Sequence, residues 1–394
     1  MSDNKAPEDQ QEDSSDLFQV NQRNFTDAVV TATDWTTQTV LSQLEKGNIE
    51  LNPDFQRRDA WKQSRKSKFI ESLILGIPVP QLVLAERKNK RNSFIVIDGK
   101  QRLLSLRQYC SDQNDQTYKP FSLRSLDIRK DLDGVRYFQL LEDSKYQQDI
   151  TNFENQPIRT VVIRNWPNEQ FLYQVFLRLN TGSVPLSPQE LRQALHPGPF
   201  SKFIDTFSVT SQEIRSILGL KAPDFRMRDA ELVIRYYAFR NFLSDYKGNL
   251  SPLFDKTTEV LNGKWLIDPQ PIERQATDLT HAIQSTTQIF GDSAFRKWNG
   301  ESYERPLNRA IFDIMVLFFD KPSISSACIR HKLDVEAVFK DMCVNDAQFK
   351  SSIEGTTKSI DAIYTRISRW AEALNRIAPG HINQPRLENG RIIL

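Results

Sequence analysis

The run FIVID-GKQR-LLSL reads as a strand, a tight turn and the start of a helix, and the residue types at the turn suit phosphate chemistry. Asp98 closes the strand, Gly99 allows close backbone approach, and the helix is expected to begin at Lys100 or Gln101. A helix N-terminus presents unpaired N–H groups and the positive end of its dipole, which favours an anion. Lys100 adds a point charge and Arg102 a planar fork for phosphate oxygens. Asp98 could hold Mg²⁺ or a ribose hydroxyl. On this motif alone, an ordinary strand-to-helix turn with surface cations reads equally well.

Two further segments carry chemistry-bearing residues. Asn52 to Arg58 (NPDFQRR) places Gln56, Arg57 and Arg58 ahead of Trp61 and an amphipathic helix. From Arg57 to Lys68 there are six cations and one acid. Phe176 to Glu190 (FLRLNTGSVPLSPQE) places Asn180, Thr181 and Gly182 in a polar turn before a strongly signalled helix start. Ser187 can cap that helix, Pro188 takes its first position, Glu190 completes a capping box, and Leu186 and Leu191 are spaced for a hydrophobic staple. Taken singly, these segments are a solvated charged face and a well-made helix start.

Other signatures are absent or weak. No GxxxxGK(S/T) loop occurs, no GxGxxG follows a strand, and there is no GxSxG elbow. The four histidines lie far apart, and none sits in an HExxH or HNH-like setting. Cys328, His331 and Cys343 offer three ligands where a structural zinc site wants four, so core cysteines are the better reading. Pro53-Asp54 followed by Glu86-Arg87-Lys88 formally spells PD…ExK, the pattern of metal-dependent nucleases. Glu86 to Lys88, however, falls in the charged turn of a predicted hairpin.

The elements that must position these residues follow from periodicity. Thr36 to Lys46 and Arg65 to Leu75 read as amphipathic helices, Gln81 to Ala85 and Phe94 to Asp98 as strands, and Leu103 to Cys110 as a helix. The polar stretch ERKNKRNS suits the turn of a hairpin. A strand is expected at Thr160 to Arg164 and a helix at Glu169 to Leu179, with 111–157 polar and mixed. Beyond residue 200 the pattern is almost wholly helical, including Asp229 to Leu243, Pro306 to Phe319, Val335 to Cys343 and Ile360 to Leu374. Residues 1–16 carry six acids and one Lys with no Leu, Val, Ile or Phe. They predict a disordered acidic tail, drawn at 1–19.

Composition bounds the classes. With 394 residues, 39% hydrophobic and 24 Phe, the chain can build two sizeable cores. Lys+Arg 52 against Asp+Glu 50 gives a net charge of +2, so nucleic acid would be met through a local patch. Three cysteines cannot form an all-paired disulfide framework, which fits a reducing compartment. No uninterrupted apolar run of membrane-spanning length is present. A soluble cytoplasmic protein without a membrane segment is expected.

In this order the segments resemble the N-terminal domain family of GmrSD-type modification-dependent restriction systems, which has the ParB/sulfiredoxin-like fold. The family's QR segment is similar to Gln56-Arg57 and its g-x-P-x-P strand entry to Gly76-Ile77-Pro78-Val79-Pro80. Its (V/I)IDGQQR motif is similar to Ile97 to Arg102, and its R-x-N-x-G-x-x-L-(S/T)-x-x-E segment to Arg178 to Glu190. A later helix from Arg228 to Arg235 looks like the family's continuation, so the resemblance spans roughly residues 30 to 240. The same stations are similar to ParB's nucleotide-binding boxes.

The resemblance implies a ParB-like nucleotide-binding domain at 20–197; with the helical periodicity beyond it, the expected fold is α+β, continuing into an all-helical domain at 198–394. It implies an NTP with Mg²⁺, with Asp98, Gln101 and Arg102 in catalytic roles and Asp98 on the metal. Gln56, Arg57, Gly99, Lys100, Asn180 and Thr181 would line the nucleotide. Lys100 stands where the family has Gln, which suits phosphate binding but removes a residue type able to position water for hydrolysis. The implied function is a component of defence against foreign or modified DNA, with cutting carried out by a separate nuclease subunit. DNA would be met through Arg57 to Lys68 and Arg87 to Arg91; self-association is left open. Two alternatives remain: a ParB-like DNA-binding scaffold that needs no hydrolysis, and a Mg²⁺-dependent nuclease.

Overall fold

The computed structural model describes residues 28–49, 51, 61–179, 187–355 and 357–394, and the fold is α+β. The chain divides into two compact units between Leu195 and His196. Gln56, Arg57, Asn180 and Thr181, with Pro53, Asp54, Leu186 and the acidic tail, lie outside the described residues.

The first unit is built on β1 (Val29–Thr36), β2 (Leu82–Arg87), β3 (Lys90–Asp98) and β4 (Pro157–Arg164). They form one mixed sheet in the order β1-β4-β2-β3, in which only the β2–β4 pair is parallel. Among the described residues, seven α-helices accompany it: α1 (Thr37–Glu45), α2 (Gln63–Ile74), α3 (Lys100–Tyr109), α4 (Tyr137–Glu142), α5 (Gln147–Asn155), α6 (Glu169–Leu179) and α7 (Pro188–Leu195). Successive strand residues face opposite sides of a sheet, and both faces here are covered. Leu82, Leu84, Phe94 and Val96 join Val40, Ile70, Leu103 and Phe153 on one side. Val83, Ala85, Ile95 and Ile97 meet Phe171, Leu172, Phe176 and Leu191 on the other. This double burial is why FIVID is an unbroken apolar run, and it fixes the strand that delivers Asp98.

Three parts of this unit exceed the sequence expectation. β2 and β3 continue through the charged stretch, leaving only Lys88 and Asn89 between them, with a register shift beyond Glu86. β1 is an edge strand paired to β4 alone; its residues are largely exposed, so no apolar alternation marks it. The 111–157 stretch contains α4 and α5 and contributes Leu123, Leu132, Leu140, Ile150 and Phe153 to the core. Its backbone is held by the buried Glu71 of α2, whose carboxylate accepts from the amides of Asp127, Ile128 and Arg129 at 2.7–3.2 Å.

The second unit is mostly helical, with α8 (Pro199–Thr210), α9 (Gln212–Leu218), α10 (Arg228–Phe242), α11 (Leu250–Trp265), α12 (Gln270–Phe290), α13 (Arg309–Phe319), α14 (Pro322–Arg330), α15 (Lys332–Asn345), α16 (Ala347–Glu354) and α17 (Ile360–Ile377) around one core. The all-helical expectation is corrected by a C-terminal hairpin, β5 (Arg386–Glu388) and β6 (Arg391–Ile393). Asn389 and Gly390 turn it with φ of 52° and 73°, the Asn-Gly pairing that suits a tight hairpin. Within the core, Asp313 accepts from Arg235 Nη2 at 2.8 Å and from Arg366 Nη2 at 3.1 Å. All three side chains are buried. Glu231 pairs with Arg309 at 3.2 Å, so the Arg228 to Arg235 segment supplies internal ion pairs to the helical core. Among the described residues, no helix is long and apolar enough to cross a membrane.

Candidate functional site

The turn between β3 and α3 brings together the five described members of the expected site: Asp98, Gly99, Lys100, Gln101 and Arg102. Gly99 sits at φ +100°, and a Cβ there would lie 2.4 Å from Leu82 Cδ2. Both the backbone region and the space therefore require glycine. Asp98 Oδ1 accepts from its neighbour's amide, Gly99 N, at 2.7 Å, and Oδ2 pairs with Arg102 Nη2 at 2.9 Å. The same Arg102 nitrogen donates to the Gln81 carbonyl at 2.9 Å, tying the helix start back to the entry of β2.

Lys100 is buried, and its Nζ lies 2.6 Å from Glu190 Oε1 on α7. Glu190 also accepts from Ser187 N at 2.8 Å through Oε2, while Ser187 Oγ accepts from Glu190 N at 3.1 Å. The capping box expected from sequence is therefore present, and its glutamate has a second duty as counterion to Lys100. Glu190 was missed as a site residue because the two groups are 90 residues apart in sequence. One turn further along α7, the buried Gln193 has no hydrogen-bond partner among the described residues for either side-chain atom. Gln101 Oε1 is likewise buried and meets no donor among the described residues. Buried amides are normally paired, so these atoms mark the turn and the face of α7 as unfinished polar surface.

The decoy nuclease pattern is engaged elsewhere. Glu86 accepts from Asn92 N at 2.8 Å and lies 3.4 Å from Arg164 Nε. Lys88 Nζ donates to the Pro167 carbonyl at 2.6 Å and stands 4.4 Å from the centre of the Trp166 ring. Cys328 and Cys343 are buried free thiols, pushed up to about 11 by burial, as core cysteines should be. His331 is exposed and 3.5 Å from Asp334.

The basic segments divide unequally. In the described part of Arg57 to Lys68, Lys66 is buried and donates to Gln108 Oε1 at 2.7 Å. Arg65 stacks over Trp61 and Lys68 pairs with Asp127 at 2.8 Å, so this is no open row of cations. Arg87, Lys88 and Arg91, by contrast, line a cleft of about 690 Å³ together with Arg164 of β4 and Trp166.

A mixed sheet with a glycine-started helix, a buried Lys–Glu pair and a capped α7 is thus the frame of the site. Residues 38–197, which contain this frame apart from β1, match the family model described as GmrSD restriction endonuclease, N-terminal domain. The match supports reading that part of the chain as a GmrSD-type N-terminal domain, and it ends before the Arg228 to Arg235 helix. No curated protein and no solved structure matches the chain.

Proposed function

We propose that the 20–197 domain, read as ParB/sulfiredoxin-like, binds a nucleoside triphosphate with Mg²⁺ at the Gly99–Arg102 turn. It would act as the nucleotide-responsive component of a system restricting foreign or modified DNA, with a separate nuclease chain. The observation that supports this reading is the buried polar turn at the start of α3, where Gln101 Oε1 meets no donor among the described residues and Gly99 leaves no room for a side chain. A ribose hydroxyl or a metal-bound water would satisfy that oxygen, and the first amides of α3 suit phosphate. Asp98 is held by Gly99 N through Oδ1 and by Arg102 through Oδ2, and the lone pairs left on these oxygens would be the ones offered to Mg²⁺.

The Lys100–Glu190 pair favours a second reading, binding without turnover. Its charge is met by a buried carboxylate, and Lys cannot position a water as Gln can. Calorimetry with the four NTPs and Mg²⁺, followed by a phosphate-release assay, separates these readings. Binding that weakens about tenfold or more in Gln101→Ala is expected, the loss of one hydrogen bond to a charged ligand. No binding by any NTP, or unaltered affinity in Gln101→Ala, overturns the assignment.

A further inference from the structure

At the end of the sheet opposite the Asp98 turn, β2 passes into β3 and β4 ends beside them; this places Arg87, Lys88, Arg91 and Arg164 around one cleft, with Glu86 as its acid. The spacing of the strands accounts for the gathering. Parallel pairing of β2 and β4 brings Ala85 level with Ile163, so Arg87 and Arg164 emerge at the same edge. The register shift beyond Glu86 bends β3 at 91–93, the kind of bulge that redirects side chains at a sheet rim. Asn92 and Asn165, both on the cleft wall, take left-handed backbone at φ 58° and 51°. Asparagine tolerates that region better than other non-glycine residues.

We propose that this cleft holds the phosphodiester backbone of duplex DNA, with Arg91, Lys88 and Arg164 as its phosphate ligands. This rests on the reading of the chain as a component of a system acting on DNA, and it is independent of nucleotide binding at the Asp98 turn. The cations have distinct duties. Arg87 Nη2 donates to the Ala194 carbonyl at 3.3 Å, at the last turn of α7, and so anchors the wall. Lys88 is exposed on the rim, where its ammonium donates to the Pro167 carbonyl. Arg91 is exposed with no carboxylate partner among the described residues, and Arg164 is only partly neutralised by Glu86 at 3.4 Å. Four cations against one carboxylate in a half-open cleft concentrate positive potential.

The aromatic group identifies which part of a nucleic acid fits. Trp166 is buried, its Nε1 donates to the Glu86 carbonyl at 2.7 Å, and Lys88 covers its ring. It offers no open face for stacking a base, as single-strand and nucleotide sites usually do. What remains exposed is cationic, which suits phosphates and carries no sequence information by itself.

Fluorescence anisotropy with a labelled duplex of mixed sequence, without nucleotide and across a salt series, tests this. Arg91→Glu should weaken binding tenfold or more. The single neutralisation Arg91→Ala should lower the log–log salt slope by about one. Lys90→Glu is the control: it makes the same charge change on the same hairpin but outside the cleft, and should cost markedly less. Equal losses in the two glutamate variants would reduce the effect to general charge and overturn the site. So would failure of the wild-type chain to bind duplex at low salt, or displacement of bound duplex by NTP with loss of NTP binding in Arg91→Glu. Calorimetry on the same variants keeps this outcome separate from the nucleotide assignment.

Discussion

Where β3 gives way to α3, Lys100 and Arg102 are buried and each faces a carboxylate, Glu190 and Asp98. Where β2 turns into β3, roughly 25 Å away along the nine residues of β3, Lys88, Arg91 and Arg164 stand at or near the surface around a cleft. The residue types are alike and their circumstances are opposed. At the closed end the charges were desolvated during folding and are held by neighbours, so they contribute to a fixed shape. At the open end they keep their water and remain ready to exchange it for a ligand. Helix α7 touches both ends, through Glu190 to Lys100 and through Ala194 to Arg87.

The sharpest way to break the comparison is to remove one charge from each end. Lys100→Ala leaves Glu190 buried without its cation and should cost about 3–5 kcal/mol. Arg91→Ala should change stability by less than about 0.5 kcal/mol, as for most surface substitutions. Urea unfolding of both variants measures this, and similar losses would erase the distinction.

Next in size is Gly99→Ala. It places a methyl against Leu82 and an L-residue at φ +100°, and should cost about 2–4 kcal/mol by the same titration. A wild-type midpoint would show that the closed end has room to relax.

Asp320 in the helical unit sharpens the rule that burial needs full pairing. Its Oδ2 meets Arg240 at 3.1 Å and Tyr236 OH at 3.2 Å, while Oδ1 is buried with no partner among the described residues. Burial pushes this carboxyl up to about 6, against a partial pull downward from Arg240. The folded state thus favours the proton. Its contribution is complete below about pH 4 and is lost as pH rises to about 6, by up to about 3 kcal/mol. Asp320→Asn should flatten the pH dependence of unfolding between those values; an unchanged profile would show that the carboxylate is fully paired.

Local elements were legible because their signals are local. The Glu169–Leu179 helix, the FIVID strand and the Ser187–Glu190 capping box each follow from adjacent residues. So does the polar turn at Asp98 to Arg102. The second role of Glu190, the entry of Arg164 into the cleft and the hold of Glu71 on the 127–129 backbone each join residues more than fifty positions apart. Periodicity carries no information about such pairings. Lys66 misleads for the same reason: as sequence it belongs to a basic run, and in the fold it is inside, bonded to Gln108. The Asn389-Gly390 hairpin is a different case, a local turn signal obscured by the helical texture around it.

The separation of the two ends is tested most directly by measuring both ligands on two variants. Calorimetry with NTP and Mg²⁺ and anisotropy with duplex DNA would be run on Gln101→Ala and Arg91→Glu. The expected result is a double dissociation: Gln101→Ala loses nucleotide affinity and keeps DNA, and Arg91→Glu loses DNA and keeps nucleotide. Loss of both ligands in either variant, by folded protein, would contradict two independent sites.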